Sequence, residues 1–218
     1  MREDTLRAIR ENKLIAVVRG VAREDCLKLA AALYEGGFRL MEIPFDQVDR
    51  DSWRETANTV TALREAFEGR MLIGAGTMLT VEMAELAAKA GAQYLVAPNA
   101  EREVIARTRE LELVSVPGAY TPTEVAAAYR WGGDFIKLFP AGCMGPSYVK
   151  ALREPLHGIP MLAVGGINTD NLRSFLDVGC CGAAIGSCVA NKKWIAAGEF
   201  ERSADAARAL MAIANGQK

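Results

Sequence analysis

Histidine is nearly absent from this sequence, and cysteine is too scattered to form a metal-binding motif. The chain has one histidine and five cysteines among 218 residues, with no C-x-x-C spacing. Zinc sites usually need imidazole or thiolate ligands. The odd cysteine count and the adjacent Cys180 and Cys181 are typical of reduced thiols packed as small hydrophobes. The composition therefore disfavours a zinc enzyme, and we predict no metal and no other cofactor.

An excess of charge and long apolar runs are also missing. Lysine and arginine (26) nearly balance aspartate and glutamate (27), so no attraction to nucleic acid or to an anionic membrane is predicted. The longest weakly polar stretch, "CCGAAIGSCVA", is too short to cross a bilayer. The first residues, "MREDTLRAIRENK", lack the apolar core of a signal peptide. We expect a soluble, cytoplasmic protein with a small neutral or anionic ligand.

Eight short apolar runs alternate with amphipathic segments along the chain. The runs are "LIAVVR", "FRLMEI", "MLIGAG", "QYLVAP", "LVSVPG", "FIKLFP", "MLAVGG" and "GAAIGS". Apolar runs without polar alternation are typical of parallel strands covered on both faces, and the segments between them have helical spacing. The pattern predicts an α/β fold, a single (β/α)8 TIM barrel over residues 1–218 with a short N-terminal helix. An open doubly wound sheet is the alternative.

Unusual residues stand where these predicted strands end. The carboxyl ends of barrel strands build the active site, and here they deliver Arg19, Glu42, Thr77, Pro98, Gly118 and Lys137. The seventh and eighth strands end in "GGIN" and "GS", where glycines allow backbone N–H groups to approach an anion. "GGIN" precedes "TDNL", which we interpret as the start of a helix whose N-terminus contributes to that site. A phosphate site is predicted at Gly165, Gly166, Gly186 and Ser187.

Lys137 stands alone in the apolar run "FIKLFP". Side chains alternate along a strand, so Phe135, Lys137 and Phe139 share one face, and Ile136 and Leu138 share the other. If the second face meets the helices, Lys137 points into the barrel, where desolvation lowers its pKa. At the ordinary pKa of about 10.4, only about one amine in 10³ to 10⁴ is neutral at pH 7. A neutral amine attacks ketones, and Lys137 is our candidate nucleophile.

Glu42 is the candidate general acid and base, because Schiff-base chemistry needs proton transfers at the carbinolamine and at the reacting carbon. A buried Lys137–Glu42 ion pair with a purely structural role is the alternative. A magnesium site on Glu42 and Asp46 stays open as a metal-dependent lyase. The only histidine, His157, precedes the seventh strand and is predicted to be a loop residue on the opposite side of the barrel.

The motifs "AVVRG", "MEI", "GAGTMLT", "VAPN", "PGAYTPTE", "IKLFPA" and "VGGINTDN" occur in this order. With them the chain resembles, over nearly its whole length, the bacterial 2-keto-3-deoxy-6-phosphogluconate (KDPG) aldolase family, which includes 4-hydroxy-2-oxoglutarate (KHG) aldolase activity. The resemblance implies a class I aldolase, usually a homotrimer. Such an enzyme cleaves a phosphorylated sugar acid to pyruvate and glyceraldehyde 3-phosphate without a metal.

Roles follow from the resemblance at matching positions. It implies Lys137 as the Schiff-base lysine and Glu42 as the general acid and base. Further residues implied in substrate binding are Arg19 and Thr77 at the pyruvate carboxylate, Pro98 and Phe139 along the pocket, and Gly165, Gly166, Gly186 and Ser187 at the phosphate.

Two positions depart from the family pattern. Asp46 stands where many members have an arginine, so a second acid group would be repelled and 4-hydroxy-2-oxoglutarate is expected to be a poor substrate. Val164, also predicted to contact substrate, replaces a threonine hydroxyl. This loss raises the 2-dehydro-3-deoxy-6-phosphogalactonate (KDPGal) analogue as an alternative substrate, and another 2-keto acid aldolase activity of the same family is a further alternative. A catalytically silent sugar-phosphate binding barrel is the alternative from another functional class.

Overall fold

A computed structural model describes residues 2–216. Within that range, nine strands and ten α-helices follow one another along the chain. The strands are β1 Leu14–Val17, β2 Leu40–Pro44, β3 Leu72–Gly76, β4 Tyr94–Val96, β5 Val114–Val116, β6 Gly118–Ala119, β7 Ile136–Leu138, β8 Met161–Val164 and β9 Gly182–Ile185. The helices are α1 Arg2–Asn12, α2 Arg23–Glu35, α3 Trp53–Ala66, α4 Val81–Lys89, α5 Arg102–Glu110, α6 Pro122–Arg130, α7 Ala141–Arg153, α8 Leu172–Asp177, α9 Lys192–Ala196 and α10 Phe200–Ala214.

The strands form one parallel sheet in the order β5-β4-β3-β2-β1-β9-β8-β7-β6. The first and last strands in that order, β5 and β6, are consecutive in the sequence. The N–H of Ala97 donates to the Val116 carbonyl at 3.1 Å, and the N–H of Lys137 donates to the Pro117 carbonyl at 2.9 Å. The segment 114–119 therefore bonds to strands at both ends of the sheet, which is nearly closed.

The predicted number of strands differs from the observed number at one place. The fifth predicted strand, "LVSVPG", is divided into β5 and β6 at Pro117. Proline has no N–H group to donate to a neighbouring strand. This division gives nine strands in place of eight. The predicted N-terminal helix is confirmed as α1.

Helix α6 begins where its sequence requires. The hydroxyl of Thr121 accepts the N–H of Glu124, whose carboxylate in turn accepts the N–H of Thr121 at 2.8 Å. Pro122 occupies the first turn, where its missing N–H has no partner to lose. The helix start thus satisfies two backbone donors that would otherwise lack acceptors.

The interior of the sheet is packed with apolar side chains, and α1 covers its amino-terminal end. Leu6 and Ile9 of α1 are buried in the interior cluster. Arg2 forms an ion pair with Asp134, two residues before β7 begins, and so ties α1 to that end. The other buried members of the cluster come from the strands and from the residue before β7: Ile15, Leu40, Tyr94, Val96, Val114, Val116, Phe135, Leu162, Val164 and Ala184. Polar chemistry is therefore left to the opposite, carboxyl-terminal end.

A larger apolar layer lies between the outer face of the sheet and the helices. It contains Ile136 and Leu138, which flank Lys137 and are fully buried. Among the helices of residues 2–216, none is long and apolar enough to cross a membrane.

Candidate active site

A cavity of about 560 Å³ opens at the carboxyl ends of the strands. Every residue predicted to take part in the site contributes to its lining, although those residues come from distant parts of the sequence. They are Arg19, Glu42, Thr77, Pro98, Lys137, Phe139, Val164, Gly165, Gly166, Gly186 and Ser187. The structure thus brings these residues together around one space of a size suited to a small organic ligand, while Gly118, which also stands at a predicted strand end, is not in the lining.

Lys137 reaches this cavity from the middle of β7. Its neighbours Ile136 and Leu138 face the helices, so the period-two alternation directs Lys137 inward as predicted. The side chain is 7% exposed, and its ammonium nitrogen lies 5.0 Å from the centre of the Phe139 ring. The long aliphatic part of the lysine is thereby enclosed, and its amine is presented to the cavity.

The pKa of Lys137 is lowered, chiefly because burial disfavours the charged ammonium form. The negative charge of Glu42 opposes this shift, whereas the positive charge of Arg19 adds to it. A lowered pKa increases the fraction of neutral amine near pH 7. The neutral form of a lysine amine is the one that can act as a nucleophile.

Glu42 lies on β2 and is 1% exposed. Burial raises its pKa, while the positive charges of Lys137 and Arg19 act in the opposite direction. Within residues 2–216, no carboxylate oxygen of Glu42 lies within the 4.0 Å ion-pair distance of the Lys137 nitrogen. Each shift favours the neutral form, and a neutral amine beside a protonatable carboxyl group suits carbinolamine chemistry better than a fixed ion pair does.

Arg19 and Thr77 meet at the rim of the cavity. Nη2 of Arg19 donates to the hydroxyl of Thr77 at 3.2 Å. Thr77 has φ of 62°, a left-handed conformation that is uncommon for a β-branched residue. Strained backbone of this kind is often found at ligand sites. This arrangement is suited to holding a carboxylate, because it places a guanidinium and a hydroxyl side by side at a tight turn.

Two glycine-containing loops form the opposite part of the lining. Gly165 and Gly166 both have positive φ values, 89° and 75°. The Gly165 carbonyl accepts the N–H of Gly142 at 2.8 Å, and the Gly166 carbonyl accepts the Asn171 amide at 2.8 Å, which hold the loop in place. Within residues 2–216, the N–H groups of Gly166 and Ser187 donate to no main-chain carbonyl. These two amides are available to an anion.

Helix α8 follows this loop after a short turn. Asn168 accepts the N–H of Asp170 at 2.8 Å in a side-chain turn, and α8 begins only at Leu172. The cavity lining extends from Val164 to Asn168 and does not include α8. The N–H of Leu172 donates to the Asn168 carbonyl at 3.0 Å and joins the lining to the first turn of α8. The expected contribution of this helix N-terminus to the anion site stays a prediction.

A family model for the KDPG and KHG aldolases matches residues 6–205. The chain belongs to this family. It is 37% identical over 175 residues to the 2-dehydro-3-deoxy-6-phosphogalactonate aldolase of Escherichia coli (strain K12), covering 80% of this chain and 82% of that protein. It is 34% identical over 196 residues to the 2-dehydro-3-deoxy-phosphogluconate aldolase of Treponema pallidum (strain Nichols), covering 89% and 90%. A solved structure described as native KDPGal superposes with a TM-score of 0.84 at 34% identity, covering 93% of this chain and 94% of that one.

Membership of the family makes the protein an aldolase, a carbon–carbon lyase.

Its only histidine, His157, is exposed in the turn between α7 and β8, at the amino end of the strand, as predicted. In the part of the chain that the structure describes, no three His, Cys, Asp or Glu side chains are grouped so that they could hold a metal ion. Asp46 lies at the cavity, but its carboxylate accepts the N–H groups of Val48 and Asp49 at 2.8 and 3.0 Å.

Sequence reasoning did not single out Gly76, which gives Glu42 its space in this aldolase. Gly76 ends β3 beside β2, and a Cβ atom there would overlap Oε1 of Glu42. The motif "GAGT" contains this glycine, but only the pairing of the two strands reveals which side chain needs the space. Gly76 therefore leaves room for the Glu42 carboxylate although it offers no functional group itself.

Replacing Gly76 with alanine is expected to reduce kcat by about 10²-fold, because a displacement of about 1 Å in a catalytic group has an effect of that size. Steady-state kinetics of aldol cleavage would measure it. Gly158→Ala is the matched control, since a Cβ atom at Gly158 meets nothing within 4 Å. Wild-type kcat in Gly76→Ala would show that the Glu42 carboxylate needs no fixed position.

Proposed function

We propose that this aldolase is a class I, Schiff-base enzyme. Its substrate is 2-dehydro-3-deoxy-6-phosphogluconate or a close analogue, which it cleaves to pyruvate and glyceraldehyde 3-phosphate. The observation that carries the proposal is the buried amine of Lys137, with its lowered pKa, in the same cavity as a buried Glu42 with a raised pKa. The family and the names of the relatives support the substrate class.

The reaction begins when the neutral amine of Lys137 attacks the C2 ketone. Glu42 transfers protons at the carbinolamine, which loses water to give an iminium ion. Glu42, through a water, then removes the proton of the C4 hydroxyl. The C3–C4 bond breaks, its electron pair moves toward the iminium nitrogen, and the aldehyde leaves. The remaining enamine takes a proton at C3, and hydrolysis of the iminium releases pyruvate and restores the lysine.

The cavity supplies a place for each end of the substrate. Arg19 and Thr77 hold the C1 carboxylate, at the rim where they are hydrogen-bonded to each other. Pro98 and Phe139 line the walls between. The phosphate binds the backbone amides of the two glycine-containing loops, at Gly165, Gly166, Gly186 and Ser187. Binding both ends fixes C2 against Lys137.

A second candidate substrate is the C4 epimer, 2-dehydro-3-deoxy-6-phosphogalactonate. Val164 lies in the cavity lining and is 6% exposed, so no hydroxyl is offered to the sugar-acid chain at this position. The relative named for this epimer is also 37% identical, against 34% for the relative named for the gluconate. Asp46, kept ionised by a lowered pKa that comes from its two backbone hydrogen bonds, disfavours 4-hydroxy-2-oxoglutarate with its second carboxylate.

Comparing kcat/KM for the two epimers tests this choice, with cleavage coupled to the detection of pyruvate. Under this second candidate the wild type prefers the galactonate epimer, and Val164→Thr is expected to raise the relative kcat/KM for the gluconate by about 5-fold, because one net hydrogen bond contributes about 1 kcal/mol. Val114→Thr, a buried valine outside the cavity lining, controls for the insertion of a hydroxyl. A strong wild-type preference for the gluconate would reject the epimer assignment. Cleavage of neither epimer would favour the silent binding protein.

The proposal extends to the architecture and setting of the enzyme. We treat β5 and β6 as one strand interrupted at Pro117, which makes the fold a closed (β/α)8 barrel forming a single domain over residues 2–216; the ends of the predicted range 1–218 lie outside the described residues. The assembly is proposed to be a homotrimer. A reducing, cytoplasmic setting is supported by the five cysteines, all of which are free.

A further inference from the structure

Two buried polar atoms face the interior of the sheet without a hydrogen-bond partner in residues 2–216. One is Oε2 of Glu42 and the other is the hydroxyl of Tyr94. Tyr94 is fully buried in the interior cluster, among aliphatic and aromatic side chains. Buried hydroxyls and carboxylates nearly always have a hydrogen-bond partner. Two such groups without one in the same interior point to a shared partner.

The strand register directs the Tyr94 ring toward Glu42. Glu42 on β2 pairs with Gly74 on β3, and Leu95 on β4 pairs with Ala75, which sets Tyr94 beside Gly74. A Cβ atom at Gly74 would overlap the Tyr94 ring, including the carbon that bears the hydroxyl. The ring therefore occupies the place of the missing side chain. This brings its hydroxyl to the side of Gly74 on which Glu42 lies.

The charged groups that face Glu42 are Lys137 from β7 and Arg19 after β1. Tyr94 faces it from β4, and the pKa of Tyr94 is raised well above its usual value, by burial and then by the negative charge of Glu42. The phenol therefore keeps its proton throughout the pH range in which Glu42 titrates. Toward an ionised Glu42 it acts as a hydrogen-bond donor.

We propose that Tyr94 is a positioning residue that donates its hydroxyl hydrogen bond, through one buried water, to Oε2 of Glu42. A water bridging two polar groups is nearly as favourable as a direct hydrogen bond. The bond fixes the inner oxygen of the carboxylate and leaves Oε1, the oxygen over Gly76, for proton transfer. It also stabilises the ionised, proton-accepting form. This inference rests on the proposed aldol function of Glu42.

Tyr94→Phe tests the proposal, because it removes one oxygen and keeps the ring that fills the space over Gly74. Loss of a donor to the carboxylate raises the pKa of Glu42. The acid limb of the kcat/KM profile for aldol cleavage is therefore expected to move to higher pH by about one unit. A less ionised Glu42 would lower the pKa of Lys137 and move any limb due to the amine to lower pH, so a shift to higher pH reports on Glu42.

Ser203→Ala is the matched control. Its hydroxyl is also fully buried and without a partner in the described chain, but it lies on α10, outside the sheet. Its removal is expected to leave the pH profile unchanged. Thermal unfolding of both variants provides a second readout. If a hydroxyl has no hydrogen-bond partner in the wild type, removing it raises Tm; if it makes a hydrogen bond, removing it does not.

An acid limb that stays in place in Tyr94→Phe, together with a higher Tm, would overturn the proposal and make Tyr94 a space-filling residue. A shift of equal size in Ser203→Ala would overturn it too, since the effect would then be general. Absence of cleavage in the wild type would instead reject the aldol function, and this inference with it.

Discussion

Lys137→Ala is expected to lower kcat/KM for aldol cleavage by at least about 10⁴-fold, since loss of a covalent nucleophile removes the pathway and leaves only binding effects. No other lysine is among the residues that line the cavity within the described chain. The alanine variant also lacks the buried amine, whose pKa is lowered in the wild type. Cleavage rates followed by pyruvate release would measure the loss.

Lys137→Arg separates chemistry from charge. Arginine keeps the positive charge near Glu42 but stays protonated and cannot form an imine. It is expected to be as inactive as Lys137→Ala. Incubation of the wild type with pyruvate and borohydride, followed by peptide mass mapping, should show a reduced adduct on the Lys137 peptide. Substantial activity in the arginine variant, or an adduct on another residue, would reject Lys137 as the nucleophile.

Glu42→Gln is expected to lower kcat by about 10² to 10⁴-fold, the usual range for loss of a general acid and base. Glutamine fills the same space over Gly76 but cannot exchange a proton. The charge of Glu42 raises the pKa of Lys137, so its removal makes the amine neutral more often. Any loss of activity therefore comes from proton transfer and not from a protonated lysine.

The borohydride adduct provides a control in Glu42→Gln. It is expected to form on the same lysine but more slowly, because the carbinolamine must still lose water. An unchanged kcat would show that another group or water carries the proton. An adduct that never forms would instead point to a collapsed cavity.

The stability of Glu42→Gln has a predictable sign. The folded-state pKa of Glu42 is raised, so the ionised carboxylate is less favourable in the folded protein than in the unfolded chain. The contribution of wild-type Glu42 to stability is full below the ordinary glutamate pKa of about 4.3 and is lost as the pH rises through the raised value. Thermal unfolding at pH 8 should therefore give the variant a Tm equal to or above that of the wild type.

Residue patterns alone predict the parts of this fold that depend on local chemistry. The alternation in "FIKLFP" places Lys137 inward because its neighbours are apolar and face the helices. The capping pattern at Thr121 starts α6 because side chain and backbone satisfy each other within four residues. The same local pattern places Arg19, Glu42, Thr77, Pro98 and Lys137 at strand ends, and all five line the cavity, whereas Gly118 does not.

Features that depend on pairing between strands could not be read from one sequence. The need for glycine at positions 74 and 76 arises from Tyr94 and Glu42, which belong to other strands. The division of the fifth predicted strand at Pro117 depends on which neighbours each half bonds to. Register is set by three-dimensional packing, and the sequence carries no direct record of it.

The position of α1 has a consequence for the order in which products depart. Leu6 and Ile9 close the amino-terminal end of the interior, so the cavity is closed at its base and has its mouth at the carboxyl ends of the strands. Bulk water and the aldehyde must share that mouth, and the proposed phosphate loops include the exposed Gly166 and Ser187, whereas Lys137 is buried. We expect the aldehyde to leave first, and only then does solvent enter to free pyruvate. The reactive enamine is thereby shielded while its former partner is still bound.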